Sequence, residues 1–155
     1  MEEKLVSLLL EKGLTVTTAE SCTGGLIASR IVNVSGASEI FHAGFVTYAN
    51  SAKEAYAGVL SETLQTYGAV SSQVALEMAR GVAKTAGADV GISVTGIAGP
   101  GGGSTEKPVG LVYIGCYVCG KTDYKEFHFT GDRLTIRQKS AKEAINFAME
   151  MLENL

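Results

Sequence analysis

Apolar residues recur at two spacings along the chain, and the alternation of these spacings predicts alternating helices and strands. In the first twelve residues, Leu5, Leu8 and Leu9 have helical spacing and Gly13 follows them, so the chain is expected to open with an amphipathic helix. Further helices are predicted at 24–34, 52–57, 61–67, 73–86 and 132–155. Stretches rich in β-branched, aromatic and apolar residues predict strands at 14–18, 40–48, 88–95, 109–118 and 124–130.

Polar residues with capping side chains stand at several predicted helix starts. Ser71 and Asp132 precede the two longest helical patterns, and Asn50 or Ser51 is the expected cap of a short one. The segment Gly120–Asp123 is predicted to be a hairpin turn between the last two strands. Helices and strands that alternate and end in a hairpin predict an α/β fold, a three-layer α/β/α sandwich with a mixed, mostly parallel sheet.

The composition is that of an ordinary globular domain, which we expect to span residues 1–155 as a single unit. The net charge is −3 and 46% of the residues are hydrophobic, so neither nucleic acid nor a membrane surface is an expected partner. No apolar run approaches the roughly 20 residues that a membrane span needs. Three cysteines without a secretion signal indicate a reducing, cytoplasmic setting and no disulfide framework.

The segment Thr17–Gly25 joins the first predicted strand to the next helix, and Ser21 lies at its centre. A strand-to-helix turn of this kind directs free backbone N–H groups and the positive end of the helix dipole at one place. Ser21 can cap the helix there, or it can act as a nucleophile whose oxyanion those N–H groups would bind. Cys22 is a rival nucleophile, and the sequence does not decide between them.

A second candidate is the glycine-rich loop at 96–108, which follows the predicted central strand at Thr95. Ligands of open α/β sheets bind at the carboxyl ends of the strands. Glycines such as Gly99 and Gly101 allow backbone amides to approach an anion closely. The loop matches neither the phosphate-loop pattern nor the dinucleotide pattern. A flexible crossover is the alternative, but loops of this length in a compact domain are more often functional.

A third candidate pairs Tyr48 with Lys53, close to the end of the second predicted strand. A lysine one turn into a short helix is usually a solvated surface charge. If Lys53 faces Ser21 and is buried, its pKa falls and it can act as a general base. Tyr48 could then relay or orient the proton.

Arg133 and Arg137 lie four residues apart at the start of the last predicted helix and therefore share one helix face. Two guanidinium groups on one face can clamp a phosphate, in concert with the glycine-rich loop. Ordinary surface arginines are the alternative.

Five segments in this order resemble the CinA C-terminal-domain family: Thr18–Gly25, Val46–Asn50, Gly96–Gly102, Lys107–Gly110 and Gly131–Arg133. The studied members of that family are nicotinamide-nucleotide amidohydrolases. The resemblance runs from about residue 5 to the end of the chain. It implies an α/β/α fold and hydrolysis of nicotinamide mononucleotide to nicotinate mononucleotide and ammonia, in pyridine nucleotide salvage. It also implies that the domain stands alone here, without the activities of the larger domain that precedes it in many members.

The resemblance further implies a serine–lysine mechanism without metal or cofactor. Ser21 would be the nucleophile and Lys53 the base, with Tyr48 as a third catalytic residue. We expect the remaining motif residues to bind the substrate: Glu20, Thr23, Gly24, Thr95, Gly96, Gly99, Gly101, Gly102, Arg133 and Arg137. We also expect a homo-oligomer. The alternative is a non-catalytic nucleotide-binding or regulatory module that keeps the pocket without the turnover.

Overall fold

A five-stranded mixed sheet forms the centre of the structure, a computed structural model that describes residues 1–155. Its strands are β1 (Val16–Glu20), β2 (Phe45–Val46), β3 (Val90–Gly96), β4 (Leu111–Val118) and β5 (Lys121–His128). The order across the sheet is β2-β1-β3-β4-β5. Strand β1 pairs in parallel with β2 and β3, whereas β4 is antiparallel to β3 and β5. Four of the five strands therefore point in one direction, which confirms the predicted mixed, mostly parallel sheet.

Six α-helices cover the two faces of the sheet. They are α1 (Glu2–Lys12), α2 (Leu26–Val32), α3 (Asn50–Ala57), α4 (Ser61–Tyr67), α5 (Ser72–Ala86) and α6 (Arg133–Glu153). Helices α1, α2 and α6 contribute to the larger apolar core on one face, where Leu5, Ile27 and Ile145 are fully buried. Helices α3, α4 and α5 pack on the other face around Met78. This arrangement is the predicted three-layer α/β/α sandwich. No helix is long and apolar enough to cross a membrane.

Two of the predicted helix caps are confirmed, and one is wrong. The side-chain oxygens of Ser71 and Asp132 each accept a backbone N–H three residues further along, at the starts of α5 and α6. The predicted caps of α3, Asn50 and Ser51, lie inside that helix instead. Its N-cap position is Ala49, which offers no side-chain hydrogen bond. Helix α3 therefore begins without a side-chain cap.

The predicted strand at 40–48 is mostly wrong, because only Phe45–Val46 joins the ladder. Phe41 pairs with Val16 only as an isolated bridge, and the chain then packs closely at Gly44, where an added Cβ would lie 2.7 Å from the ring of Phe41. The carbonyl of Ala43 accepts the side-chain hydroxyl of Thr17 instead of a strand N–H. This irregular approach ends beside β1 and leads directly into Thr47, Tyr48 and α3.

The hairpin between β4 and β5 turns through fewer residues than predicted. Its turn is Cys119–Gly120, and both residues have positive φ values, 46° and 99°. Positive φ at both central positions is typical of the tight two-residue turns that suit twisted strands. The predicted turn Gly120–Asp123 is therefore too long, because Thr122 and Asp123 belong to β5.

Helix α5 crosses α3 so closely that Gly81 has no room for a side chain. An added Cβ would lie 1.7 Å from the carbonyl oxygen of Ala57. We expect Gly81→Ala to lower the free energy of unfolding by about 1–3 kcal/mol, the usual cost of overpacking. Alanine's better helix propensity, about 1 kcal/mol, offsets only part of this cost. Urea unfolding of Gly81→Ala beside Gly101→Ala, whose Cβ meets nothing within 4 Å, provides the comparison; equal stabilities would contradict the prediction.

Candidate active site

The carboxyl ends of β1, β2 and β3 meet at one edge of the sheet, and a small pocket opens there. Ser21 directly follows β1, Tyr48 lies two residues beyond β2, and Gly96 is the last residue of β3. The pocket has a volume of about 190 Å³ and is lined by these residues together with Cys22, Arg133 and the glycine-rich loop. The sheet therefore brings together three of the sequence-predicted segments, and α6 adds a fourth.

Lys53 forms a hydrogen-bonded pair with Ser21, which lines this pocket. The Nζ atom of Lys53 lies 3.1 Å from the Oγ atom of Ser21. Nζ also donates to the backbone carbonyls of Thr47, at 2.9 Å, and Tyr48, at 3.2 Å. The predicted proximity of the two side chains is thus confirmed. The expectation for an isolated lysine, a solvated surface charge, is wrong, because Lys53 is only 1% exposed.

The environment of Lys53 makes the charged form less favourable than it is in an exposed lysine. Burial lowers the pKa of Lys53 from its ordinary value of 10.5. No carboxylate lies within salt-bridge distance of the ammonium group to oppose that effect. A neutral amine keeps two N–H groups, which suffice for the carbonyls of Thr47 and Tyr48. Its lone pair then faces Ser21, as a general base requires.

Cys22 faces away from this chemistry. Its thiol is buried in the apolar core between the sheet and helices α2 and α6, and the residue is 6% exposed. Burial raises the pKa of Cys22 to about 11. Because the thiolate is the reactive form of cysteine, a thiol held protonated in the core is a poor nucleophile. The geometry favours Ser21 over its neighbour.

The start of α2 differs from the prediction, and the difference involves Glu20. The helix begins at Leu26 rather than at residue 24, and its N-cap is Gly25, which has no side-chain oxygen. The carboxylate of Glu20 accepts the backbone N–H groups of Ile27 and Ala28, at 2.8 and 3.0 Å. Glu20 is 1% exposed and does not line the pocket, where it was predicted to bind the substrate. Ser21 is not the cap of α2, and the helix start is not free to bind an oxyanion.

The backbone between β1 and α2 offers another donor. The N–H of Cys22 has no acceptor within the protein, and Cys22 lines the pocket beside Ser21. Its N–H is therefore a candidate donor to a ligand in the pocket. No sequence pattern could have indicated this contribution, since every non-proline residue carries the same N–H.

The two arginines at the start of α6 bind different parts of the protein. Arg133 reaches over the pocket, where Nη1 donates to the carbonyl of Gly99 at 2.8 Å and Nη2 to the hydroxyl of Tyr48 at 3.1 Å. Arg137 donates instead to the backbone carbonyls of Cys22, at 2.9 Å, and Thr23, at 3.1 Å. It does not line the pocket. The structure thus separates the two arginines of the predicted phosphate clamp: Arg137 binds the backbone of the Ser21 turn, and Arg133 is the one that lines the pocket.

Three other predicted binding residues also lie outside the pocket. Thr23 is fully buried, and Gly24 lies on the outer side of the turn, where an added Cβ would lie 3.2 Å from Arg137. The hydroxyl of Thr95 donates to the carbonyl of Ala69 at 2.8 Å, which ties β3 to the segment before α5. These residues support the walls of the site.

The remaining predicted residues do line the pocket: Tyr48, Gly96, Gly99, Gly101, Gly102 and Arg133. The N–H groups of Gly99, Gly101 and Gly102 have no acceptor within the protein, as an anion-binding loop requires. The hydroxyl of Tyr48 contacts Arg133 rather than Lys53, and only its carbonyl reaches the lysine. The chain contains no group of three or more His, Cys, Asp or Glu side chains arranged to hold a metal ion.

An α/β/α sandwich in which a buried lysine contacts a pocket-lining serine at the carboxyl edge of the sheet is the class that this fold and site define. The sequence profile of the CinA C-terminal domain matches residues 1–152, and the chain belongs to that family. A CinA-like protein of Kosmotoga olearia is 55% identical over 152 residues, which are 98% of this chain and 37% of the relative. The chain thus spans little more than a third of the length of that relative.

Two solved structures match the chain over nearly their whole length. The competence/damage inducible protein CihA of Agrobacterium tumefaciens is 43% identical, with a TM-score of 0.90 over 98% of this chain and 95% of that one. A CinA superfamily protein of Klebsiella pneumoniae is 32% identical, with a TM-score of 0.95 over 99% and 96% of the two chains. The fold described above is therefore that of the CinA superfamily.

Proposed function

We propose that this chain is an amidohydrolase that converts nicotinamide mononucleotide to nicotinate mononucleotide and ammonia. The observation that carries the proposal is the buried Lys53, whose amine lies 3.1 Å from the Ser21 hydroxyl without a carboxylate partner. A lysine with its pKa lowered by burial is the base that activates serine where no histidine is available. The choice of substrate rests on the resemblance to the nicotinamide-nucleotide amidohydrolases of the same family.

Acylation follows from the geometry of the pair. Ser21 Oγ forms a bond to the carboxamide carbon while neutral Lys53 takes the hydroxyl proton, and the carbonyl electron pair moves onto oxygen. The Lys53 ammonium then gives that proton to the nitrogen as the C–N bond breaks, so ammonia leaves and the acyl group remains as an ester of Ser21. Lys53 returns to its neutral form at the end of this step.

Deacylation repeats the same proton transfers with water. A water molecule attacks the ester carbon while Lys53 accepts its proton. The C–O bond to Ser21 breaks, Lys53 returns the proton to Oγ, and nicotinate mononucleotide leaves. We assign the oxyanion of both steps to the N–H of Cys22, which adjoins Ser21 and has no acceptor within the protein.

The pocket volume suggests how the nucleotide is divided. A volume of about 190 Å³ is below the roughly 300–1,000 Å³ that usually encloses a drug-sized ligand. The pyridine ring with its carboxamide therefore belongs inside, and the ribose phosphate lies across the open side. Arg133 and the free amides of Gly101 and Gly102 stand at that side and supply donors for a phosphate.

We expect Arg133→Ala to lower kcat/KM for the mononucleotide by roughly 10- to 150-fold. A charged hydrogen bond contributes about 1.5–3 kcal/mol, and every 1.4 kcal/mol is tenfold. The same substitution should barely change kcat/KM for nicotinamide riboside, which has no phosphate. Steady-state assays of both substrates with wild type and variant test the prediction, and equal losses on both would show that Arg133 holds the pocket rather than the phosphate.

Arg137→Ala is the matched comparison, four residues further along the same helix. Because Arg137 holds the carbonyls of Cys22 and Thr23, its loss should reduce kcat/KM for both substrates alike. A selective loss on the mononucleotide would restore the original expectation that Arg137 binds the phosphate.

The activity itself is tested by ammonia release and by chromatographic detection of nicotinate mononucleotide, with purified protein and a chelator present. Turnover that survives the chelator supports the proposal. Binding of the mononucleotide without turnover, measured by calorimetry, would instead support the alternative of a nucleotide-binding or regulatory module.

A further inference from the structure

We propose that Glu20 is a positioning residue that holds Ser21 at its reacting distance from Lys53; this inference rests on the proposed function. Glu20 is the last residue of β1, and its buried carboxylate accepts the N–H groups of Ile27 and Ala28 in the first turn of α2. One side chain thus joins the end of the strand to the start of the helix. Ser21 lies in the turn between those two fixed points.

Two backbone hydrogen bonds lie within the turn: the N–H of Gly24 donates to the carbonyl of Ser21 and that of Leu26 to the carbonyl of Thr23, both at 3.1 Å. Gly24 and Gly25 have φ values of 58° and 107°, which glycine adopts without strain but which give the segment conformational freedom. The N-cap Gly25 has no side chain with which to bind the helix N–H groups. The Glu20 carboxylate, at the end of β1, accepts helix N–H groups in place of a cap side chain. Because this contact joins the two ends of the turn, it restricts the path of residues 21–25.

Two further contacts place the opposite side of the turn. The N–H of Ser21 donates to the carbonyl of Val94 in β3, at 3.0 Å. Arg137 binds the next two carbonyls, those of Cys22 and Thr23. The Glu20 carboxylate thus binds N–H groups just after the turn, and the Arg137 guanidinium binds carbonyl groups within it. If either is removed, the turn loses part of what sets the position of Ser21 relative to Lys53, whose amine is fixed by two carbonyls of its own.

The effect on the chemistry follows from distance. The Ser21–Lys53 contact is already 3.1 Å, near the upper end of a good hydrogen bond. A misplacement of about 1 Å in a reacting group costs about 100-fold in rate. Loss of the Glu20 contacts should therefore appear in kcat, whereas substrate binding, which Arg133 and the glycine-rich loop provide, should change little.

The test compares Glu20→Gln with Glu77→Gln. Glu77 has the same task at another helix: its carboxylate accepts the N–H of Leu60 and the hydroxyl of Thr63 at the start of α4, away from the pocket. We expect Glu20→Gln to lower kcat by roughly 10- to 100-fold with KM within about twofold, on the scale of a misplaced group. Glu77→Gln, whose hydrogen bonds are more exposed, should lose less thermal stability and keep its kcat. Equal kcat values for the two variants would overturn the proposal.

A second measurement does not depend on the substrate. A fluorophosphonate probe reacts with an activated serine: Oγ bonds to phosphorus, fluoride leaves, and Lys53 accepts the proton. Mass spectrometry then gives the rate of Ser21 labelling. Labelling that is roughly 10- to 100-fold slower in Glu20→Gln than in wild type and Glu77→Gln supports the positioning role, and unchanged labelling overturns it.

The labelling also separates this inference from the proposed function. If wild-type Ser21 is labelled but no ammonia is released, the substrate is wrong and the labelling rates alone decide the role of Glu20. If wild-type Ser21 is not labelled at all, the nucleophile and the positioning role fall together. Should Glu20→Gln not fold, Glu20→Asp carries the test, because it keeps the charge and withdraws it by one methylene; slowed labelling supports the role and wild-type labelling overturns it.

Discussion

Ser21→Ala is expected to abolish deamidation, by about four to six orders of magnitude in kcat, and to leave the fold intact. Removal of a nucleophile acts on that scale in other hydrolases. The expected loss of stability is small, about 1 kcal/mol or less, because the Ser21 hydroxyl makes a single hydrogen bond, to Lys53, and does not cap α2. Single-turnover assays measure the rate of deamidation, thermal unfolding measures the stability, and calorimetry measures the affinity for the mononucleotide.

Cys22→Ala is the control for the adjacent residue. The thiol is buried and its pKa is raised to about 11, so its removal should leave turnover within a few-fold of wild type. The variant should instead lose stability, because truncation leaves space in the core. Turnover by Ser21→Ala at a near-normal rate, together with an inactive Cys22→Ala, would assign the nucleophile to the cysteine.

Local patterns in the sequence predicted the elements whose signals are themselves local. Helix α5 lies within a residue of its predicted bounds. Both signals that predicted it, the spacing of its apolar residues and the Ser71 cap, lie within or next to the helix itself. The approach of Ser21 and Lys53 was also predictable, since each follows a strand and the carboxyl ends of parallel strands share one edge. The short irregular strand β2 was not, because its path depends on close contacts with Phe41 and Thr18.

The roles of Glu20 and Arg137 depend on the packing of distant segments, and the sequence did not predict them. Glu20 binds backbone groups seven and eight residues away across a turn. Arg137 binds carbonyls that lie more than a hundred residues earlier, and it reaches them only because α6 packs against α2. A motif residue beside a nucleophile can contact the ligand or support the turn, and only the fold distinguishes the two.

Lys53→Met is expected to lower kcat/KM by roughly 10²- to 10⁴-fold, the usual contribution of a general acid–base group. Methionine keeps most of the buried volume and removes the amine. Lys53→Arg should not restore activity, because a guanidinium stays protonated in proteins and cannot accept the proton of Ser21. Activity of Lys53→Arg close to that of wild type would show that a positive charge, not a base, is what the position requires.

The pH dependence gives Lys53 a second, independent test. Burial lowers its pKa in the folded state below 10.5, the ordinary value that applies to the unfolded chain. Between those two pKa values the unfolded chain binds more protons than the folded protein, so wild-type stability rises with pH through that window. Lys53→Met lacks this contribution, and the stability of wild type relative to the variant should therefore increase as pH rises towards 10.5.

Wild-type kcat/KM should rise over the lower part of the same window, as the amine becomes neutral, and then level off. Thermal unfolding and initial rates across a pH series measure both effects; a stability difference that stays flat up to pH 10.5 would mean that the pKa of Lys53 is not lowered in the folded protein, and it would contradict the role of Lys53 as the base.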